Sequence, residues 1–189
     1  MTSYHPTIWR TCRVLANRRR PACLKAVLLQ PGESVGVIAA CAEIPQDQAS
    51  LCLRALQSRG LLEARRESRW VRYYPRTDPL VPTAAPILAG IRQALLKERL
   101  PETRIIHCLT AFTHPRRLAV LYWLRQKNAA SFTDLARLSH ISATALFRHL
   151  KKLEERRLVL EGEAGWALNH EHEHLADTFL RLIALSPEG

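Results

Sequence analysis

Glycine is scarce in this chain, with seven residues in 189 and no glycine-rich repeat, which excludes a collagen-like or linker-like polypeptide. The five cysteines, Cys12, Cys23, Cys41, Cys52 and Cys108, form no CxxC or CxC pair. An odd number at loose spacing argues against a disulfide framework and against a structural zinc site. Each lies in an apolar, helix-like context, where a free thiol acts as a small hydrophobe; a redox- or metal-sensing thiol is the competing role. Long apolar runs are missing as well. Stretches such as Val35–Ala42 reach eight residues, against roughly 18–20 for a membrane span. The start of the chain is polar and carries no signal-peptide stretch, so a cytoplasmic protein without a membrane partner is expected. No acid precedes Glu33; an Arg-rich, acid-free beginning superficially suits a transit peptide but fits the first helices of a domain better. P-loop, GxGxxG, GxSxG and HExxH patterns are all absent, so neither an enzyme nor a cofactor is expected.

What the chain does have is apolar residues, arginine and a repeat. Apolar residues make up 47% and charged residues 24%, enough for a packed core rather than a disordered chain. Lys and Arg total 28 against 17 Asp and Glu, a net charge of +11, and 23 of the cations are Arg. That balance points to a polyanionic partner, because the guanidinium fork matches phosphates and guanine edges. The excess is uneven: residues 1–100 sum to +9 and residues 101–189 to +2.

Shifted by 97 residues, Leu15–Leu61 aligns without a gap onto Phe112–Leu158, with eleven identities. Roughly three or four would follow from composition alone, and the identities fall at helix-core spacing. They include Arg19/Arg116, Arg20/Arg117, Leu53/Leu150, Leu56/Leu153 and Arg59/Arg156. A period this long means two copies of a small domain, here 1–100 and 101–189.

Both copies read alike. Helices are expected over Arg19–Leu29 and Pro115–Lys127, then over Val35–Ala42 and Phe132–Leu138. After a tight turn come Gln46–Arg59 and Ala143–Arg157, the latter with Ser142 placed to cap its free amides. Strand pairs follow at Leu61–Ala64 with Trp70–Tyr74, and at Leu158–Glu161 with Gly165–Leu168. Thr7–Leu15, Arg104–Phe112, Pro86–Leu100 and Glu171–Leu185 are flanking helices, and Pro75–Pro86 is a stiff connector. The expected fold is mainly α with small β-hairpin wings: two tandem winged helix-turn-helix domains.

These residues resemble the ArsR-type winged-helix repressors. The resemblance covers most of both copies and is most specific in the R-H-L-x-x-L run at Arg148–Leu153, in Gly60–Arg66 and in the W-V-x-Y-Y strand at Trp70–Tyr74. It implies binding of operator DNA. Members of that family are usually single-domain homodimers, whereas this chain joins two copies. The resemblance therefore suggests a pseudo-dimer within one chain, with its first and last helices packed together; a homodimer of chains is the alternative.

Helical projection sorts the side chains that face DNA. In the second copy Leu146, Leu150 and Leu153 form the buried stripe, and Thr144, Arg148, Lys151 and Lys152 point outward, as suits a major-groove helix. Arg156, with Arg157, reaches phosphates further along, and His149 points partly inward. In the first copy Ala49, Leu53 and Leu56 are buried while Asp47, Leu51 and Arg54 face out, a weaker reader that Gln46, Gln48 and Ser50 assist from the flanks. The wings reverse this ranking: Arg65, Arg66 and Arg69, with Arg72 nearby, crowd the first, and Glu161 and Glu163 make the second acidic. The expectation is that the second copy reads bases and the first clamps the backbone.

His170, His172 and His174 alternate before the last helix. On a helix His170 and His174 share a face, with Asp177 three residues on, so these three are the candidate ligands should a metal bind. No second histidine cluster follows downstream, and no metal site is assigned. The expected function is sequence-specific regulation of transcription on double-stranded DNA. The alternatives are an assembly module of a chromosome-segregation or replication complex, and a metal- or redox-responsive repressor.

Overall fold

A computed structural model describes residues 7–185 of the chain. It contains ten α-helices and six short strands among those residues. Helix α1 (Ile8–Leu15) buries Ile8, Thr11, Cys12 and Leu15, one face at helical spacing. Helix α2 (Arg20–Leu29) has Pro21 in its first turn, where the missing amide costs nothing. Strand β1 (Glu33–Ser34), α3 (Val35–Cys41), α4 (Gln46–Gln57), β2 (Glu63–Glu67) and β3 (Trp70–Tyr74) follow. Then comes α5 (Ala84–Arg92), which continues as a π-helical turn over Gln93–Lys97.

The same order recurs. Helix α6 (Glu102–Leu109) runs into a 3₁₀ turn at Thr110–Phe112. Next are α7 (Pro115–Lys127), β4 (Ala129–Ala130), α8 (Phe132–Ser139), α9 (Ala143–Glu154), β5 (Val159–Gly162), β6 (Gly165–Leu168) and α10 (His174–Leu185). Each set of strands is a three-stranded antiparallel sheet with the hairpin's second strand in the middle, β1-β3-β2 and β4-β6-β5. The register pairs Glu33 with Tyr73 in one and Ala129 with Ala167 in the other. Among the described residues no helix is long and apolar enough to cross a membrane.

The flanking helices pack together in the middle. Helix α1 lies against α6, the 110–112 turn and α10, and α5 lies against α10. Phe112 and Phe179 are fully buried there and stack with centroids 4.9 Å apart. Gly90 permits the approach of α5 to α10, because a Cβ at that position would stand 2.6 Å from the Thr178 hydroxyl oxygen.

Several identities at the 97-residue spacing have visible causes. Arg20 donates to the Val14 carbonyl at 2.7 Å, and Arg117 donates to the Ala111 carbonyl at 2.7 Å, each reaching back to the preceding helix. Arg156 donates from Nε to the Thr110 hydroxyl at 2.7 Å. The position corresponding to Thr110 is Arg13, which has no acceptor to offer, and the buried Nε of Arg59 has no hydrogen-bond partner among the described residues.

The structure revises several expected boundaries. Helices α4 and α9 end at Gln57 and Glu154, two and three residues early, because the chain turns left-handed three residues beyond each end. Gly60 has φ +70° and Arg157 φ +56°, and the amides of Leu61 and Leu158 close back onto Leu56 and Leu153. Glycine adopts this conformation freely and arginine does not. Arg157→Gly is therefore expected to stabilise the chain by about 0.5 kcal/mol after the entropy gained by the unfolded chain is subtracted. A urea melt checks it, and an unchanged or lower midpoint refutes it. The last helix begins at His174 rather than Glu171. Ser142 stands at the N-cap of α9 but makes no side-chain capping bond, and its neighbours Ala143 and Thr144 are exposed. Side-chain caps occur instead at His114 and Ser131. Strands β1 and β4, of two residues each, have no counterpart in the expected pattern.

Candidate nucleic-acid interface

Helix α9 buries Ala145, Leu146, Leu150 and Leu153. That anchors the opposite face toward solvent, where Thr144 and Arg148 are exposed with no carboxylate partner among the described residues. Lys151 and Lys152 are half-buried and paired, to Glu154 at 2.8 Å and to Glu155 at 3.1 Å. The bond from Glu154 pushes the Lys151 ammonium up from its ordinary value, and the acid of Glu161 adds to this. Lys151 also lies over the rings of Phe147 and Trp166. Arg156 does not reach outward as expected. Its side chain is 10% exposed and is held by Thr110, the Lys152 carbonyl and Glu155. Phe147, 53% exposed beside Arg148, is a surface residue the projection passed over; its place one residue after Leu146 is the signal that would have found it.

His149 turns inward onto His114, with ring centroids 4.8 Å apart. His114 Nδ1 accepts from the Arg116 amide at 3.1 Å and so caps α7. Burial, then His114 and the guanidiniums of Arg117, Arg116 and Arg148, holds the His149 imidazole down to about 4. His114 is lowered too, by burial and by Arg117, Arg116 and Arg13.

Helix α4 presents a different surface. Helix α4 buries Ala49, Cys52, Leu53 and Leu56 and exposes Gln46, Asp47, Leu51 and Arg54. Leu51, at the position of Arg148, is 54% exposed. Gln48 is half-buried, donates to Asp47 at 3.1 Å and accepts from Arg19 at 3.4 Å. Arg54 donates to the Ser50 carbonyl of its own helix at 3.4 Å.

The first wing is less free in charge than its composition implies. Register places Arg65 opposite Arg72 and Glu63 opposite Tyr74 on one face of the ribbon. Arg65 pairs with Glu63 at 2.9 Å and lies over the Tyr74 ring. Arg72 pairs with Glu67 at 2.9 Å, and the Tyr74 hydroxyl donates to Glu67. Arg66 projects from the other face, opposite Val71, with no acid partner among the described residues, and Arg69 stacks on Trp70. The second wing, Glu161 to Gly165, is exposed at Glu161, Gly162, Glu163 and Ala164.

The histidines do not group as projected. Residues 169–173 are not helical, so His170 shares no helix face with His174. Instead His172 Nε2 and His174 Nδ1 flank the Asp177 carboxylate at 3.6 and 3.4 Å. They border a cleft of about 750 Å³ that Arg104, His107 and Cys108 also line, with Arg104 paired to Glu173 across its edge. Among the described residues no three His, Cys, Asp or Glu side chains are arranged to hold a metal ion. Cys12, Cys23, Cys52 and Cys108 are buried and Cys41 is exposed. Burial pushes the Cys12 thiol well up and those of Cys23 and Cys108 up to about 12, which keeps them protonated and unreactive at neutral pH.

A family model, that of the MarR family, matches residues 114–160, from the cap of α7 into β5. These regulators are winged-helix proteins that bind DNA, and the matched segment supports a winged helix-turn-helix of a DNA-binding transcriptional regulator. No curated protein matches the chain. Among solved structures, human N-acetylserotonin methyltransferase in complex with SAM aligns at 15% identity over 79% of this chain, with a TM-score of 0.33. The aligned chain spans 39% of that protein. The expectation of a non-enzyme is contradicted by this match to a methyltransferase and is withdrawn; at a TM-score of 0.33 the likeness carries no argument for methyl transfer here.

Proposed function

We propose that the chain binds double-stranded DNA and regulates transcription through two winged helix-turn-helix units, residues 1–100 and 101–189, that act as an ArsR-like pseudo-dimer. The observation that carries this reading is the surface of α9. It presents Thr144 and Arg148 without acid partners, inside the segment similar to the MarR family. Guanidinium contact with guanine edges then supplies sequence preference, and released counterions supply affinity. Arg66 and Arg69 are the first wing's contacts to the backbone, since Arg65 is held by Glu63. The acidic second wing keeps off phosphates, so the DNA site is asymmetric.

Selection from a random duplex pool at graded salt, followed by sequencing of what is retained, tests this. Enrichment of one asymmetric motif is the expected result, and a palindrome refutes the division between the units. Exposed Leu51 and Val37 on the first unit's helices favour a second reading, an assembly module that contacts protein there. Salt-sensitive binding without any enrichment favours that reading instead.

A further inference from the structure

The start of α7 meets α9 where His114 packs on His149, with ring centroids 4.8 Å apart, and this brings Arg116, Arg117 and Arg148 together; α1, whose Arg13 lies over the Trp9 ring at 5.7 Å, packs on the 110–112 turn just before α7. Arg13 of α1 and Arg116 and Arg117 of α7 act on the His114 imidazole, and Arg116, Arg117 and Arg148 of α9 act on that of His149. Arg117 is the inward member, donating to the Ala111 and Thr110 carbonyls and the Thr113 hydroxyl, with Arg156 behind it. Arg13, Arg116 and Arg148 are exposed. None of these three has a carboxylate partner among the described residues, whereas Arg65, Arg72, Lys151 and Lys152 all have one. Like charges gathered without an acid repel one another, a cost that an anion at the centre removes.

We propose that the junction of α1, α7 and α9 is a phosphate seat, in which Arg13 and Arg116, over the His114–His149 pair and beside Arg148, hold one backbone phosphate of a bound duplex. The inference rests on the DNA-binding reading and adds two residues that lie on neither a recognition helix nor a wing. The Arg116 amide is already taken by His114 Nδ1, so side chains rather than the helix terminus hold the phosphate. That same bond needs Nδ1 unprotonated, which keeps His114 neutral. His149 is then the group that responds. Burial first, then His114 and the guanidiniums of Arg117, Arg116 and Arg148, hold it at about 4 in the free protein, and a phosphate beside it offsets the guanidiniums and raises it. A group whose value rises on binding takes up a proton, so affinity increases as pH falls.

Fluorescence anisotropy of the full chain with a labelled duplex, over a salt series at one pH above about 6.5 and one midway between that and about 4, tests the seat. Arg13→Ala and Arg116→Ala are each expected to weaken binding about fivefold at physiological salt on every sequence, and to lower the salt slope by about one. The wild type should bind more tightly at the lower pH, and His149→Gln should flatten that dependence. The seat is overturned if the wild type binds while both arginine variants keep its affinity and slope, which leaves the DNA-binding reading standing. An affinity unmoved by pH overturns the part given to His149. A wild type that binds no duplex overturns the underlying reading itself.

Discussion

Phe179→Ala is expected to destabilise the chain by about 3–5 kcal/mol, the range for deleting a fully buried aromatic ring. Phe179 is 0% exposed and stacks on Phe112, also 0% exposed, at 4.9 Å. The cost sits at the upper end because the site cannot collapse. Helix α10 is packed on α1, α5, α6 and α7 at once, so no neighbour can move into the cavity without leaving another. Chemical denaturation measures the loss. Leu80→Ala is the control, since Leu80 is 74% exposed and its removal should change stability by less than about 0.5 kcal/mol. A Phe179→Ala chain within about 1 kcal/mol of wild type would mean that the central helices do not pack as described.

Arg148→Ala is expected to cost about 1–3 kcal/mol in binding to the preferred duplex, and to relax preference at the base it contacts. That is roughly five- to 150-fold in affinity. Arg148 is exposed on the solvent face of α9, one turn from Thr144, with buried Leu146 and Leu150 fixing the helix beneath it. Helix α4 supplies the comparison. Leu51 occupies the corresponding place on α4, and Leu51→Ala should leave sequence preference unchanged. Arg66→Ala should weaken binding to all sequences alike and lower the salt slope. If Arg148→Ala and Arg66→Ala reduce preferred and random duplexes equally, the division between reading and clamping is wrong.

Much of the architecture is legible in the one-dimensional pattern. Helix α7 spans Pro115–Lys127 and α3 begins at Val35, as periodicity and the capping residues indicate. Apolar spacing at Leu146, Leu150 and Leu153 assigns the buried side of α9, and the same spacing at Ala49, Leu53 and Leu56 that of α4. The wings are shifted from their expected start. Leu61 and Leu62 read as strand, but both are buried and close the end of α4, so β2 begins only at Glu63. A pair of leucines cannot say whether it packs as a strand or as a cap. The two-residue strands β1 and β4 are too short to leave any periodicity.

Charge is where the linear reading falls short. Arg65, Arg66 and Arg69 look equivalent along the chain, yet only the pairing of β2 with β3 reveals that Arg65 stands with Glu63 and Tyr74 while Arg66 faces the other way. Arg156 aligns with outward-facing positions on a helical wheel, but α9 ends at Glu154 and the side chain returns to Thr110, 46 residues earlier. His170 drops out because α10 starts four residues later.

The sequence by itself determined the amphipathic helices, the recurring order of elements and the net charge of +11, since each depends on neighbours along the chain or on composition alone. Only the tertiary structure decided which cations remain without an acid and which histidine meets which. Those pairings join residues far apart in the chain, and their geometry exists only once α1, α7 and α9 have packed and the hairpin register is set.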